Sequence, residues 1–166
     1  MKKDAIFSGC RKFRYSLLRD WGQDPDPWLL FIGLNPSTAD ERKDDPTLKR
    51  MMNFAASWGF NRIQVTNLFA YRATKPAEML KAGDPVGPLN DMILMKAAKT
   101  SRLIVACWGP NGRHLNRDNE IIKRIPGLHY IKLTKAGFPG HSLYLPGKLK
   151  PIPWPAARVR FRFQKK

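Results

Sequence analysis

The sequence predicts an α/β fold in three layers, with a central, mostly parallel sheet of four strands between helices on both faces. Two observations predict it. Short apolar runs of strand length alternate with amphipathic stretches of helical length, which implies right-handed βαβ units. The clearest runs, Trp28–Leu34 and Leu103–Trp108, are continuously apolar, as expected of strands covered on both faces. A chain of 166 residues fits one compact domain over 1–155, followed by a basic tail over 156–166.

In chain order, residues 7–21 alternate crudely, with Phe13, Tyr15 and Leu17 on one side and Arg14 and Ser16 on the other, and read as a leading strand or hairpin arm. Asp24-Pro25-Asp26-Pro27 breaks it, and Trp28–Leu34 becomes the central strand. Asp45-Pro46 supplies an N-cap and a proline at the first helical position. Leu48, Met51, Met52 and Ala55 then recur at helical spacing until Gly59 ends the run. Arg62–Leu68 is β-branched and follows a turn, so it reads as a second strand. Residues 69–88 are irregular, with a short helix near Pro76–Leu80. A helix over Asn90–Thr100, a strand over Leu103–Trp108, a helix over Asn116–Ile125 and a fourth strand over His129–Leu133 complete the alternation. Pro146–Pro155 is proline-rich and non-helical.

Charge limits the function classes. Thirty Lys and Arg against 13 Asp and Glu leave a formal +17, an excess that a polyanionic partner relieves. Glu120 is the last acidic residue, and uncompensated cations follow it to the C-terminus. A phosphate-facing surface in the C-terminal third, with DNA as the partner, is the expectation. No apolar run approaches the ~20 residues that cross a bilayer, and no signal-peptide pattern follows the charged start, so a cytoplasmic location without membrane contact is expected. Cys10 and Cys107 read as two buried, reduced thiols rather than a disulfide framework or metal site. His114, His129 and most tryptophans read as packing or surface residues, with Trp108 beside Gly109 the open case.

In open α/β sheets, sites form beyond the carboxyl ends of the strands. Past the central strand lies Gly33-Leu34-Asn35-Pro36-Ser37-Thr38-Ala39-Asp40, where Gly33 lets backbone approach a ligand, Pro36 stiffens the turn and Asn35 is placed to hold a water or a base edge. Past the last strand lies the loop Thr134-Lys135-Ala136-Gly137-Phe138-Pro139-Gly140-His141-Ser142-Leu143-Tyr144. Together the two segments point to a bipartite pocket on a basic protein.

Gly33-Leu34-Asn35-Pro36-Ser37 resembles the first motif of the uracil-DNA glycosylase superfamily, above all its mismatch-specific uracil/thymine branch, which reads Gly-Ile-Asn-Pro-Gly. The Gly137–Leu145 loop is similar to the second, His-Pro-Ser-type motif, although His141-Ser142 lacks the proline between. From about Phe7 to Trp154 the chain also resembles an uncharacterised bacterial and viral domain family. Arg14-Tyr15, Leu34–Asp40, Asp45-Pro46-Thr47, Asn67–Ala70, Asp84–Gly87, Trp108-Gly109 and Thr134-Lys135 carry that pattern.

The glycosylase resemblance implies a glycosylase-like fold and a monomeric, metal-independent and cofactor-free hydrolase that releases a flipped-out pyrimidine from DNA. It gives Asn35 the attacking water, His141 the departing base anion and Asn67 the Watson–Crick edge. Gly33, Pro36, Ser37 and Ser142 line the base site in this reading. Leu143, Tyr144 or Leu145 plugs the emptied stack, and Lys135, Lys148, Lys150, Arg158, Arg160 and Arg162 hold the DNA backbone. Because Asn35 is no base, an acid is needed to activate the water, with Asp40 the first choice and Asp44 and Asp45 the alternatives. Strict uracil enzymes carry a bulky tyrosine where this chain has Ser37. The small side chain points to a C5-modified pyrimidine, such as the hypermodified cytosines of some viral DNA, and to roles in antiviral defence or base-excision repair. Two other readings are a non-catalytic nucleic-acid binder on the same scaffold and an N-glycosidase or transferase in nucleotide or DNA-base modification.

Overall fold

The computed structural model describes residues 1–23 and 25–155. Its strands are β1 (Lys2–Phe7), β2 (Arg14–Asp20), β3 (Trp28–Gly33), β4 (Arg62–Asn67), β5 (Ser101–Ala106), β6 (Leu128–Tyr130) and β7 (Ile152–Pro153). Its helices are α1 (Pro46–Ser57), α2 (Pro76–Leu80), α3 (Asn90–Thr100) and α4 (Arg117–Arg124). One sheet contains all seven strands, in the order β1-β2-β4-β3-β5-β6-β7. β3 pairs in parallel with β4 and β5, and β5 with β6. The pairings β1 with β2, β2 with β4, and β6 with β7 are antiparallel.

The expected four-stranded, mostly parallel sheet is thus corrected to a mixed sheet of seven strands, half of its pairings antiparallel. The strands that sequence reasoning missed are the two edges. β1 carries Lys2, Lys3 and Asp4, and its residues are exposed or half-buried. It is held by backbone pairing to β2, so no apolar pattern announces it. β7 holds only two residues and ends in Pro153, a residue tolerated at a sheet edge.

Side chains of β3 alternate between two cores, which is why its run is apolar throughout. Leu30 and Ile32 pack with Leu94 and Ala97 of α3 and Ile121 of α4. Leu29 and Phe31 pack on the other face with Leu48, Met51, Phe54 and Ala55 of α1. Helix α1 starts where its cap dictates, the Asp45 carboxylate accepting the Leu48 amide at 2.8 Å.

β2 departs from its expected alternation: Arg14 through Leu17 are all buried, as is Arg19, because the strand lies inside the sheet between β1 and β4. The fully buried Arg19 donates to Asp44 at 2.7 Å, to the Asp40 carbonyl at 2.6 Å and to the Leu18 carbonyl at 2.8 Å, which clamps the loop before α1 onto β2. The two cysteines also differ. Cys107 is buried, but Cys10 is exposed, in a turn between β1 and β2 that the sequence did not reveal as solvent-facing. Among the described residues, no helix is long and apolar enough to cross a membrane.

Candidate active site at the carboxyl ends of the central strands

A cavity of about 370 Å³ opens where β3, β4 and β5 end. Gly33, Leu34, Asn35, Ser37 and Ala39 line it from the β3 side, Asn67 from the end of β4, and Trp108, Gly109, Pro110 and Asn111 from beyond β5. Asp45, Thr47, Leu48 and Met51 of the α1 start form another wall, and His141, Leu143 and Tyr144 close it over. The volume falls within the range of small-molecule sites.

Gly33 and Asn67 are register partners across the parallel β3–β4 pair. A Cβ built on Gly33 would lie 2.7 Å from the Asn67 side-chain oxygen, so only glycine lets that amide rest over β3. The Asn67 Nδ2 is buried and without a hydrogen-bond partner. Its backbone carbonyl and that of Leu68 each accept from the fully buried Asn90 Nδ2 at 3.0 Å, and Arg117 Nε adds a second donor to Leu68 at 2.9 Å. The strand end is therefore pinned while the Asn67 side-chain amide keeps its donors free.

At Asn35 the roles reverse. Its Nδ2 donates to the carbonyls of Ala73 at 2.9 Å and Pro36 at 3.1 Å. That fixes the amide plane, and among the described residues Oδ1 accepts no hydrogen bond. An oriented, free carbonyl oxygen at a cavity wall is an acceptor for a water proton.

The His141 loop reaches the cavity because Gly109, at φ +72, turns the chain after β5 and donates its N–H to the Pro139 carbonyl at 2.8 Å. Gly140 donates to the Lys132 carbonyl at 2.8 Å and seats the loop against the end of β6. His141 Nδ1 accepts the Leu143 amide at 3.3 Å, which assigns the ring proton of the neutral form to Nε2. Burial holds His141 below its ordinary pKa, partly opposed by the negative charge of Asp45. The imidazole is a neutral donor at neutral pH.

The predicted residues divide accordingly. Gly33, Asn35, Ser37, Asn67, His141, Leu143 and Tyr144 meet at the cavity. Pro36 is buried behind it, its carbonyl accepting Ala73 N–H at 3.0 Å. Ser142 is fully buried beside Cys107, whose thiol burial pushes up to about 12 against the lowering effect of the Ser142 hydroxyl. Asp40 does not line the cavity: its carboxylate accepts the amides of Arg42 at 2.8 Å and Lys43 at 2.7 Å and serves a turn. Those amides hold its carboxyl below the usual range. Lys135, Lys148 and Lys150 are exposed outside the cavity. The segment leading to Lys148 and Lys150 is strapped to α1 by Arg50 donating to the Leu145 carbonyl and Trp58 donating to the Leu149 carbonyl at 2.9 Å. Arg158, Arg160 and Arg162 lie outside the described residues.

Of the two charged residues in the lining, Asp45, an alternative water activator and the expected helix cap, is both cap and cavity wall, and Arg14 lies outside the predicted site. Arg14 was read as one side of an alternating strand, yet it is 4% exposed and faces the cavity. Among the described residues, no group of three or more His, Cys, Asp or Glu side chains is arranged to hold a metal ion.

The family model described as "Protein of unknown function (DUF1643)" matches residues 14–143. The chain belongs to this family. The DUF1643 span runs from Arg14 to Leu143, so it contains every cavity-lining residue named above except Tyr144. Lys148 and Lys150 lie beyond it. Comparison with curated proteins and with solved structures gave no match.

Proposed function

We propose that this DUF1643 protein is a metal-independent DNA glycosylase that hydrolyses the N-glycosidic bond of a flipped-out, C5-modified pyrimidine. One observation carries the reading: Asn35 with its oxygen free, Asn67 with its amide nitrogen unpaired and His141 as an Nε2–H donor line a single cavity.

Cleavage of a deoxyribosyl bond builds positive charge on the sugar and negative charge on the base. Water held by Asn35 Oδ1 attacks C1′ as the C1′–N1 bond breaks. The bonding pair leaves with the base, whose developing anion receives a hydrogen bond from His141 Nε2–H. A neutral imidazole suits that task, since it donates without itself being a strong acid. The water proton passes to a carboxylate. Asp45 takes this role in place of Asp40, because Asp45 lines the cavity and its second oxygen has no partner among the described residues.

Asn67 Nδ2 offers a donor to the Watson–Crick edge, and Ser37 leaves room beside the base for a C5 substituent. Tyr144, 81% exposed and packed on His141 at 5.5 Å between ring centroids, stands with Leu143 at the mouth to fill the vacated stack. In this reading the protein acts as a cytoplasmic monomer on DNA, in repair or in defence against modified viral genomes.

The test incubates the protein with DNAs carrying different pyrimidines and measures free base and abasic sites. Release of C5-modified bases, abolished by Asn35→Ala and His141→Ala with DNA affinity nearly unchanged, is the expected result. Binding without release from any substrate would leave the nucleic-acid-binding reading in its place.

A further inference from the structure

The glycosidic reading leaves the one cation of the cavity lining, Arg14, without a task. Arg14 carries five N–H donors. Nη1 gives one to the Ala39 carbonyl at 2.8 Å. Nε is shut off from solvent without a partner, and Nη2 donates to nothing among the described residues. No carboxylate lies within ion-pair distance of Arg14 among the described residues, although Arg19 on the same strand is closed by Asp44 and three carbonyls. The charge nearest in effect is Asp45, on the same cavity wall as Thr47. The cations Arg72 and Arg19 act on Arg14 in the unfavourable sense, and burial pulls its pKa down from 12.5 to about 10.

A buried guanidinium with unpaired donors is destabilising, and such donors are retained where a ligand supplies acceptors. With Nε closed to solvent, the donors a ligand reaches are at the Nη end of the guanidinium, where Nη2 and the second N–H of Nη1 form a planar fork that matches the two oxygens of a phosphate or carboxylate group. The first turn of α1 adds the Thr47 amide at the positive end of the helix dipole, the one first-turn donor left open among the described residues, since Pro46 has no N–H and the Leu48 amide is capped by Asp45.

We propose that Arg14, with Thr47 at the start of α1, forms an oxyanion-binding position on the cavity wall that takes a phosphate or carboxylate group of the ligand. Asp45 opposes that group and tunes its affinity. The position stands apart from the glycosidic chemistry, because the cavity binds an oxyanion whether or not a base is released.

The test is a titration of the isotope-labelled protein with inorganic phosphate, dimethyl phosphate and acetate, followed by NMR at the Trp108 indole and the Asn67 side-chain amide. These reporters line the cavity, so phosphate gathered by surface lysines does not move them. Saturable shifts are expected with at least one probe. The strongest probe names the source: phosphate for a terminal phosphomonoester, dimethyl phosphate for a backbone phosphodiester, acetate for a carboxylate. Arg14→Gln is expected to weaken binding by about tenfold or more, the scale of a charge-assisted bidentate contact. Asp45→Asn, which keeps the helix cap, is expected to tighten it severalfold. Should Arg14→Gln fail to fold, Asp45→Asn decides alone. Cavity signals that ignore all three probes, an Arg14→Gln protein that binds like the parent, or an Asp45→Asn protein that binds no better would each overturn the proposal.

Discussion

His141 shows how burial and one backbone hydrogen bond set the chemistry of a single side chain. Its folded pKa lies below the ordinary value of 6.5, chiefly from desolvation. The unfolded chain therefore binds the proton more readily than the folded one, so stability contributed by neutral His141 is present above pH ~6.5 and is lost as pH falls toward the folded pKa. On the proposed glycosidic reading, base release is expected to fall over the same acidic window, as the imidazolium replaces the neutral donor. A pH–rate profile compared with His141→Gln tests this, since the amide variant must lack the acidic limb assigned to His141. At Gly33 the argument is steric. Gly33→Ala sets a Cβ 2.7 Å from the Asn67 oxygen and must displace that amide. The expected result is a loss of base release larger than the loss of thermal stability, measured by turnover and calorimetry on one preparation. The cysteines separate cleanly as well: Cys10 is exposed with its pKa lowered, mainly by the Ser8 hydroxyl, while Cys107 is buried with its pKa raised. A thiol reagent should modify Cys10 alone in the native protein and both thiols in denaturant.

At the scale of elements, α1 does two jobs with one residue. Asp45 begins the helix and faces the cavity. Asp45→Ala is expected to cost about 1 kcal/mol of unfolding free energy from the missing cap, and Asp45→Asn close to nothing, because asparagine caps as well as aspartate. Denaturant melts of the two variants distinguish the cap from any role of the charge. The joint between β4 and α3 works in the same way. Asn90 donates to the carbonyls of Asn67 and Leu68, and Arg117 crosses to Leu68, Asp91 and Glu120. Asn90→Ala removes both of its bonds from fully buried surroundings and is expected to destabilise by about 1–3 kcal/mol. These partners explain why the site was only partly legible. The strand that delivers Asn67 could be read from its β-branched residues, but not the polar ties that hold its end from 22 to 49 residues away.

Charge belongs to the whole molecule. If the basic C-terminal third meets DNA, affinity must fall steeply with salt. Removing residues 156–166 deletes Arg158, Arg160, Arg162, Lys165 and Lys166. The logarithmic salt slope should then become shallower by up to roughly 0.9 for each phosphate that the tail would have neutralised. Binding measured over a salt series for the full and shortened chains checks this, and equal slopes would take the tail out of the interface.

The sequence by itself determined the central strands, the four helices, the start of α1 and the two loops that bear Asn35 and His141. Each rests on a local signal: a continuous apolar run, a 3.6-residue period, an aspartate-proline cap, or glycine and proline at a strand end. Only the tertiary structure decided which polar residues serve the cavity. It assigned Asp40 to a turn and Asp45 to the wall, sent Ser142 to the core beside Cys107, and brought Arg14 in from the interior of the sheet. Neither the pairing of an exposed edge strand such as β1 nor the burial of an arginine leaves a mark on local composition. Both follow from which backbone lies alongside, and that is fixed by contacts between residues far apart in the chain.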